Sequence, residues 1–336
     1  MVIARRSEMR VLVTGVAGQL GHDVMNELSR RGHEGIGTDL APEYAGVMDG
    51  SPVTEMQYIS LDITDSAAVN ETVCSLAPDA VIHCAAWTAV DLAEDDDKRD
   101  KVYAVNVDGT KNIALAAEKC GAKMLYLSTD YVFDGQGETP WDPDFKGYQP
   151  LNVYGQTKLE GEKAVSGTLE KYFIVRIAWV FGRNGKNFIK TMLAVGKNHD
   201  ELRVVNDQIG TPTYTYDLAS LLVDMIQTQK YGYYHATNAE LPGQEGGCDA
   251  DGTKTGYISW YDFSKEIFRQ AAALGYSEYD EEHLKLIPVT TQEYGLSKAM
   301  RPYNSRLDKS KLEREGFSLL PDWKDALSRY LREIGC

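Results

Sequence analysis

Two side chains that could work together, Tyr154 and Lys158, bracket the stretch Tyr154-Gly155-Gln156-Thr157-Lys158. On a helix this spacing puts phenol and ammonium on one face, one turn apart. A phenol beside a fixed cation is suited to giving a proton to a carbonyl oxygen that is gaining negative charge. The cation favours the phenolate and so lowers the tyrosine pKa. By itself the pattern equally describes a half-exposed amphipathic pair. Ser128-Thr129-Asp130-Tyr131 precedes it at the end of an apolar run. The Thr129 hydroxyl there could orient the same carbonyl and stabilise the oxyanion, while Ser128 is expected to hydrogen bond within its own turn.

A second constellation is Gly15-Val16-Ala17-Gly18-Gln19-Leu20-Gly21, a G-x-x-G-x-x-G variant of the dinucleotide fingerprint. Gly15 permits a tight turn, Gly18 lets backbone approach a pyrophosphate, and Gly21 lets the following helix pack close to its strand. Phosphates would rest on the helix N-terminus near Gln19 and Leu20, where free N–H groups and the dipole favour anions. Asp39 falls eighteen residues past Gly21. A carboxylate there accepts hydrogen bonds from the adenosine ribose and repels a 2′-phosphate, so the cofactor is NADH or NADPH with NADH favoured. Asp62 and Ile63 end a later strand and are positioned for the adenine. The small pair Ala85 and Ala86, with Thr88 just beyond, would let the cofactor lie against backbone.

These residues need a scaffold that brings strand ends together. Short apolar runs alternate with amphipathic stretches through the first half, the signature of βαβ units and a parallel sheet. Strands are expected at Arg10–Thr14, Glu34–Asp39, Gln57–Asp62, Ala80–Ala85, Lys123–Ser128 and Tyr172–Ala178. Helices are expected at Leu20–Arg31, Ala67–Leu76, Val102–Cys120 and Val153–Val165. Later come helices at Phe188–Gly196, Tyr216–Gln227, Tyr261–Leu274 and Trp323–Ile334, and strands at Leu202–Val205 and Gly232–Ala236. The segment Glu240–Gly256, rich in Gly, Asp and Thr, reads as a surface loop. The expected fold is α/β: a Rossmann-type doubly wound parallel sheet with a smaller C-terminal substrate-binding domain. Residues 9–180, joined by about 211–239, form the dinucleotide-binding domain; 181–210 and 240–336 form the substrate-binding part; 1–8 is a disordered leader.

Composition excludes several classes of function. The 336 residues carry a formal net charge of −15 and a pI near 4.9. Without a basic stripe the chain cannot replace the counterions of a nucleic acid. No apolar run is long enough to span a bilayer. The five cysteines form no C-x-x-C, and the six histidines show no ligand spacing, which points to a reduced cytoplasmic protein without a bound metal. The Asp249/Asp251 pair is too sparse to make a metal site.

The Gly motif, Thr129 and the Tyr154/Lys158 pair together resemble the extended short-chain dehydrogenase/reductase superfamily. Further stretches narrow the resemblance: His83–Asp91, Leu127–Gly135, Pro150–Glu162, Arg176–Gly182, Asp207–Thr213 and, most discriminating, Arg301-Pro302-Tyr303-Asn304-Ser305-Arg306-Leu307-Asp308. They are similar to the dTDP-4-dehydrorhamnose reductases. The first departs from that pattern at His83, Cys84 and Trp87. The resemblance implies reduction of the C4 keto group of a dTDP-linked 4-dehydro sugar, with Thr129, Tyr154 and Lys158 as catalytic residues. It implies that Asp130, Tyr131 and Trp179 line the sugar and nucleotide pocket, although core packing explains Trp179 equally well. Arg301 and Asn304 would lie near the nucleotide diphosphate, with a surface ion pair the plainer reading of Arg301. Asn106, grouped with the cofactor-binding residues, resembles an Asn that holds active-site geometry through backbone and water contacts. A homodimer is implied by the same analogy. A 4,6-dehydratase fits less well, because Tyr131 stands where those enzymes carry a second carboxylate. An epimerase, a reductase of another nucleotide sugar, and a non-catalytic subunit like the regulatory partner of methionine adenosyltransferase remain open.

Overall fold

The computed structural model describes residues 8–239 and 256–335. The expected loop at 240–256, apart from Gly256, lies outside the described residues, as do Asp249, Asp251 and all but Glu8 of the leader.

The first half folds as alternating strands and helices. In chain order these are β1 (Arg10–Thr14), α1 (Gln19–Arg30), β2 (Glu34–Asp39), β3 (Tyr58–Ser60), α2 (Ser66–Leu76), β4 (Ala80–His83), α3 (Asp96–Tyr103), α4 (Thr110–Cys120), β5 (Lys123–Thr129), α5 (Val153–Thr168) and β6 (Tyr172–Ile177). The second half holds β7 (Val180–Phe181), α6 (Phe188–Gly196), β8 (Glu201–Val205), β9 (Ile209–Gly210), β10 (Thr213–Tyr214), α7 (Thr215–Ile226), β11 (Gly232–His235) and β12 (Asn238–Ala239). After the undescribed segment come β13 (Ile258–Ser259), α8 (Trp260–Ala273), β14 (Lys285–Val289), α9 (Thr291–Tyr294), α10 (Ser310–Arg314), β15 (Leu320–Asp322) and α11 (Trp323–Glu333).

Seven strands form one parallel sheet in the order β11-β6-β5-β4-β1-β2-β3. Buried on both faces, its strands tolerate unbroken apolar runs, as in Ala80-Val81-Ile82 of β4. Along β1, Val11 and Val13 enter the core beneath α1 and α7, while Leu12 enters the opposite core beneath α2 and α4, as the two-residue strand period requires. Strand order reverses between β1 and β4, which opens a crevice at the carboxyl ends of the strands. A further core packs Phe181, Phe263, Trp323 and Tyr330 among α6, α8 and α11, flanked by the parallel pair β8–β14.

Several elements differ from expectation. The helix expected from Val102 begins at Asp96, where Asp96 and Asp97 in its first turn complement the helix dipole. A π-helical turn over Ala104–Gly109 then interrupts it and turns Asn106 fully inward; such turns recur at functional sites. The fourth strand stops at His83 because the Ala85 amide leaves the ladder and bonds the Thr14 hydroxyl at 3.2 Å. The short β14 gave no strand signal, since Pro288 interrupts its apolar run. Within the C-terminal stretch, Leu312, Phe317 and Leu320 pack into the core under β1 and α7.

Candidate active site

A cleft of about 950 Å³ runs along the carboxyl edge of the sheet, from the β1–α1 turn to the region between β7 and α8. At one end the chain leaves β1 through Gly15, whose φ of +72° lies in the left-handed region. A Cβ there would sit 2.7 Å from the Ala85 amide nitrogen, so glycine is required by conformation and by space. Gly18, Gln19, Leu20 and Gly21 line the same end. Asp39, at the tip of β2, accepts from the Ala17 amide at 3.0 Å and the Leu40 amide at 2.8 Å. Its carboxylate thereby holds the turn and faces the cleft. Asp62 folds back on Thr64, accepting from its amide and hydroxyl, and Ile63, Ala85, Ala86 and Thr88 complete the wall. A narrow glycine cradle, open N–H groups at the start of α1 and a carboxylate eighteen residues on fit a dinucleotide.

At the other end Thr129, the last residue of β5, donates to Asp130 Oδ1 at 2.9 Å and accepts from the Tyr131 amide at 3.2 Å. Asn152 caps α5 by accepting from the Gly155 amide at 2.8 Å. Gly155 lets the helix meet the strand end closely, for a Cβ there would stand 2.3 Å from the Tyr131 carbonyl oxygen. Tyr154 is thus carried to the cleft beside Tyr131, ring edge to ring face at 5.7 Å. The Lys158 ammonium lies 4.1 Å from the centre of the Tyr126 ring.

The electrostatics depart from the expectation that Lys158 depresses the Tyr154 pKa. Burial pushes the phenol up, and the Asp130 charge adds to this, against a hydrogen bond from Thr129. Burial also pulls Lys158 down to about 7, against the charge of Glu162. Burial raises Asp130 to about 6, against hydrogen bonds from Ser305 and Thr129. In this environment Tyr154 is a neutral phenol, the protonation state of a proton donor. Ser128 does not bond within its turn: its hydroxyl donates to Glu162 on α5 at 2.5 Å.

Trp179 lines the cleft with a φ of +51°, a conformation costing about 1–3 kcal/mol that persists only where surroundings impose it. It stacks on Trp260 of α8 with ring centres 3.7 Å apart. Trp260, Phe188 and Lys186 also line this end, and spacing gave no sign of them. Asn184 of the same loop donates to Ala17 O, and Asn187 donates to Gln19 Oε1 at 3.0 Å. Lys186, exposed, is therefore held near the glycine turn.

Three expected residues do not line the cleft. Asn106 is sealed inside: it accepts from the Trp87 amide at 2.7 Å and donates to Trp87 O and to Thr157 Oγ1, tying the π turn to α5. Arg301 is drawn into a two-pronged ion pair with Asp91, which holds the 298–301 segment against the 91–95 turn. Asn304, 1 % exposed, spends its amide on the Gln136 and Thr139 carbonyls. Each acts as a strut, making these polar contacts within the protein.

Known proteins resemble the whole of this arrangement. The profile of the RmlD substrate binding domain family matches residues 9–336. The chain belongs to that family. A dTDP-4-dehydrorhamnose reductase of Aggregatibacter actinomycetemcomitans is 36% identical over 330 residues, 95% of this chain and 97% of that protein. Among solved structures, one of a dTDP-4-dehydrorhamnose reductase from Clostridium acetobutylicum is 39% identical with a TM-score of 0.80, covering 98% of this chain and 100% of that one. Another, from Bacillus anthracis in complex with NADP, is 36% identical with a TM-score of 0.80, covering 97% and 100%. UDP-glucose 4-epimerase of Thermus thermophilus, 17% identical, shares the fold.

Proposed function

We propose that this chain is an NAD(P)H-dependent oxidoreductase that reduces the C4 keto group of dTDP-4-dehydro-L-rhamnose to give dTDP-L-rhamnose. The observation that carries the reading is the convergence of Thr129, Tyr154 and Lys158 on a cleft that also holds the glycine turn, in a member of this family. The dinucleotide, when bound, supplies hydride. Thr129 and Tyr154 present hydroxyls to the carbonyl oxygen, and the neutral Tyr154 phenol gives up its proton as that oxygen gains charge. Charged Lys158 stabilises the phenolate left behind. Tyr131 and Trp179 exclude water from one flank of the carbonyl, and Asp130 is placed to accept from a sugar hydroxyl.

Asp39 supports NADH over NADPH. It would face a 2′-phosphate at close range, and no Lys or Arg occurs between it and Lys98 to offset the repulsion. No described helix is long and apolar enough to cross a membrane, and Cys74, Cys84 and Cys120 are free thiols, which supports a cytoplasmic setting. Family analogy supports a homodimer, to be weighed by light scattering.

The direct test follows the absorbance of NADH, then NADPH, when purified protein meets dTDP-4-dehydro-L-rhamnose generated in the same tube. Oxidation of NADH at the lower KM is expected. Silence with both dinucleotides despite tight binding would count against reduction of this sugar.

A further inference from the structure

Two charged residues of the quoted motifs have no part in the chemistry above. Glu162 lies one turn beyond Lys158 on α5, and Arg176 lies on β6; their side chains are 1% and 0% exposed. Arg176 Nε and Nη2 each donate to a different Glu162 oxygen at 2.8 Å. The remaining donors of Arg176 go to the Pro143 carbonyl, the His235 Nε2 and the Tyr148 hydroxyl, and its plane lies about 5 Å from the Phe133 and Tyr148 rings. One oxygen of Glu162 also takes the Ser128 hydroxyl at 2.5 Å, the short distance of a charge-assisted bond. Ser128 adjoins Thr129. A single carboxylate thus joins the end of β5 that presents Thr129 to the helix that presents Tyr154 and Lys158.

We propose that Glu162 is a positioning residue for the reaction, fixing Thr129 against Tyr154 through Ser128 and supplying the buried counter-charge that Lys158 faces along α5. The other groups around Lys158 cannot take that second role. His83 on β4 is neutral, held down at about 3 by burial and by Lys158 itself. Cys84 beyond β4 is a protonated thiol, raised by burial to about 12. Tyr126 on β5 and Tyr154 on α5 are neutral phenols raised by burial. Around Glu162 itself stand Arg176, Tyr148, Tyr233 of β11 and the half-buried Lys146, with neutral His235 behind Arg176. Arg176 absorbs part of the Glu162 charge, yet its cost in burial is met by the two-pronged pair and not by Lys158.

The inference rests on the reading that Tyr154 and Lys158 act on the substrate. Its test is the pH profile of kcat at saturating NADH and nucleotide sugar, for the wild type and three variants. Lys158 works as a cation, so activity falls as pH rises through its pKa. In Glu162→Gln the amide oxygen still takes the Ser128 bond but the charge is gone, and the alkaline limb should move down by about one pH unit. Ser128→Ala keeps the ion pair and the charge. Its kcat should fall about tenfold with the limb in place and the NADH KM unchanged, since small misplacements of reacting groups are costly. Glu162→Asp retains charge without reach, and should restore the limb but not kcat.

A Glu162→Gln protein of wild-type melting temperature and wild-type profile overturns the proposal, as does Ser128→Ala with wild-type kcat. If Glu162→Gln does not fold, Ser128→Ala decides. Near-normal turnover in Tyr154→Phe refutes the underlying site instead, whereas an inactive Tyr154→Phe beside unaltered Glu162 and Ser128 variants refutes only the role of Glu162.

Discussion

The two ends of the cleft are built on different principles. The dinucleotide end is backbone: a left-handed glycine, a helix N-terminus and small residues, nearly all within two short stretches of chain. The catalytic end is side chain: Thr129 of β5, Tyr154 and Lys158 of α5, Trp179 and Trp260 arrive from four separate places and meet through long-range packing. A backbone site depends on which residues are small. A side-chain site depends on what surrounds each group, and here burial, not the neighbouring ammonium, dominates the titration of Tyr154 and Lys158.

Substitutions can break that contrast in order of size. Tyr154→Phe should lower kcat by roughly 10²–10⁴-fold, the usual worth of a positioned proton donor, with the NADH KM unchanged in steady-state assays. At the backbone end, Gly15→Ala should weaken NADH binding by about tenfold in titration calorimetry, because a left-handed alanine costs about 1–2 kcal/mol and its Cβ meets the Ala85 amide nitrogen at 2.7 Å. Equal binding would show the turn can rearrange. Lys186→Ala, at the border of the two ends, should raise the NADH KM by only a few-fold, with the difference vanishing in high salt, as expected for an exposed cation near a phosphate.

The smallest effect lies outside the cleft. Asp23, buried against Thr215, is raised by burial to about 7. The folded state therefore holds a proton that the unfolded state has lost between the ordinary carboxylate range and about pH 7, and stability falls as pH rises through that window. Asp23→Asn should raise the melting temperature by a few degrees at about pH 8 and leave it unchanged near pH 4. A pH-independent difference would contradict this.

The same contrast explains what the sequence disclosed. Periodicity and glycine spacing located β1, α1 and Asp39 because their geometry is local. Tyr154 and Lys158 were legible because one helical turn relates them. Trp260 and Lys186 were not, since each reaches the cleft through tertiary packing that spacing does not encode. Asn304 and Arg301 were quoted as part of a distinctive run, yet a run of residues does not state which way its side chains turn. Ser128 misled for the same reason: its partner, Glu162, is 34 positions away.

Trp179 comes from the junction of β6 and β7, and Trp260 opens α8, so the edge of the sheet and the start of that helix meet in a pair of indoles 3.7 Å apart and nearly parallel. Two such chromophores couple their transitions, and the coupling changes sign and size with their relative angle. The chain therefore carries its own optical goniometer, readable without labels in circular dichroism, for any movement of α8 against the β6–β7 junction when a ligand enters the cleft beside them.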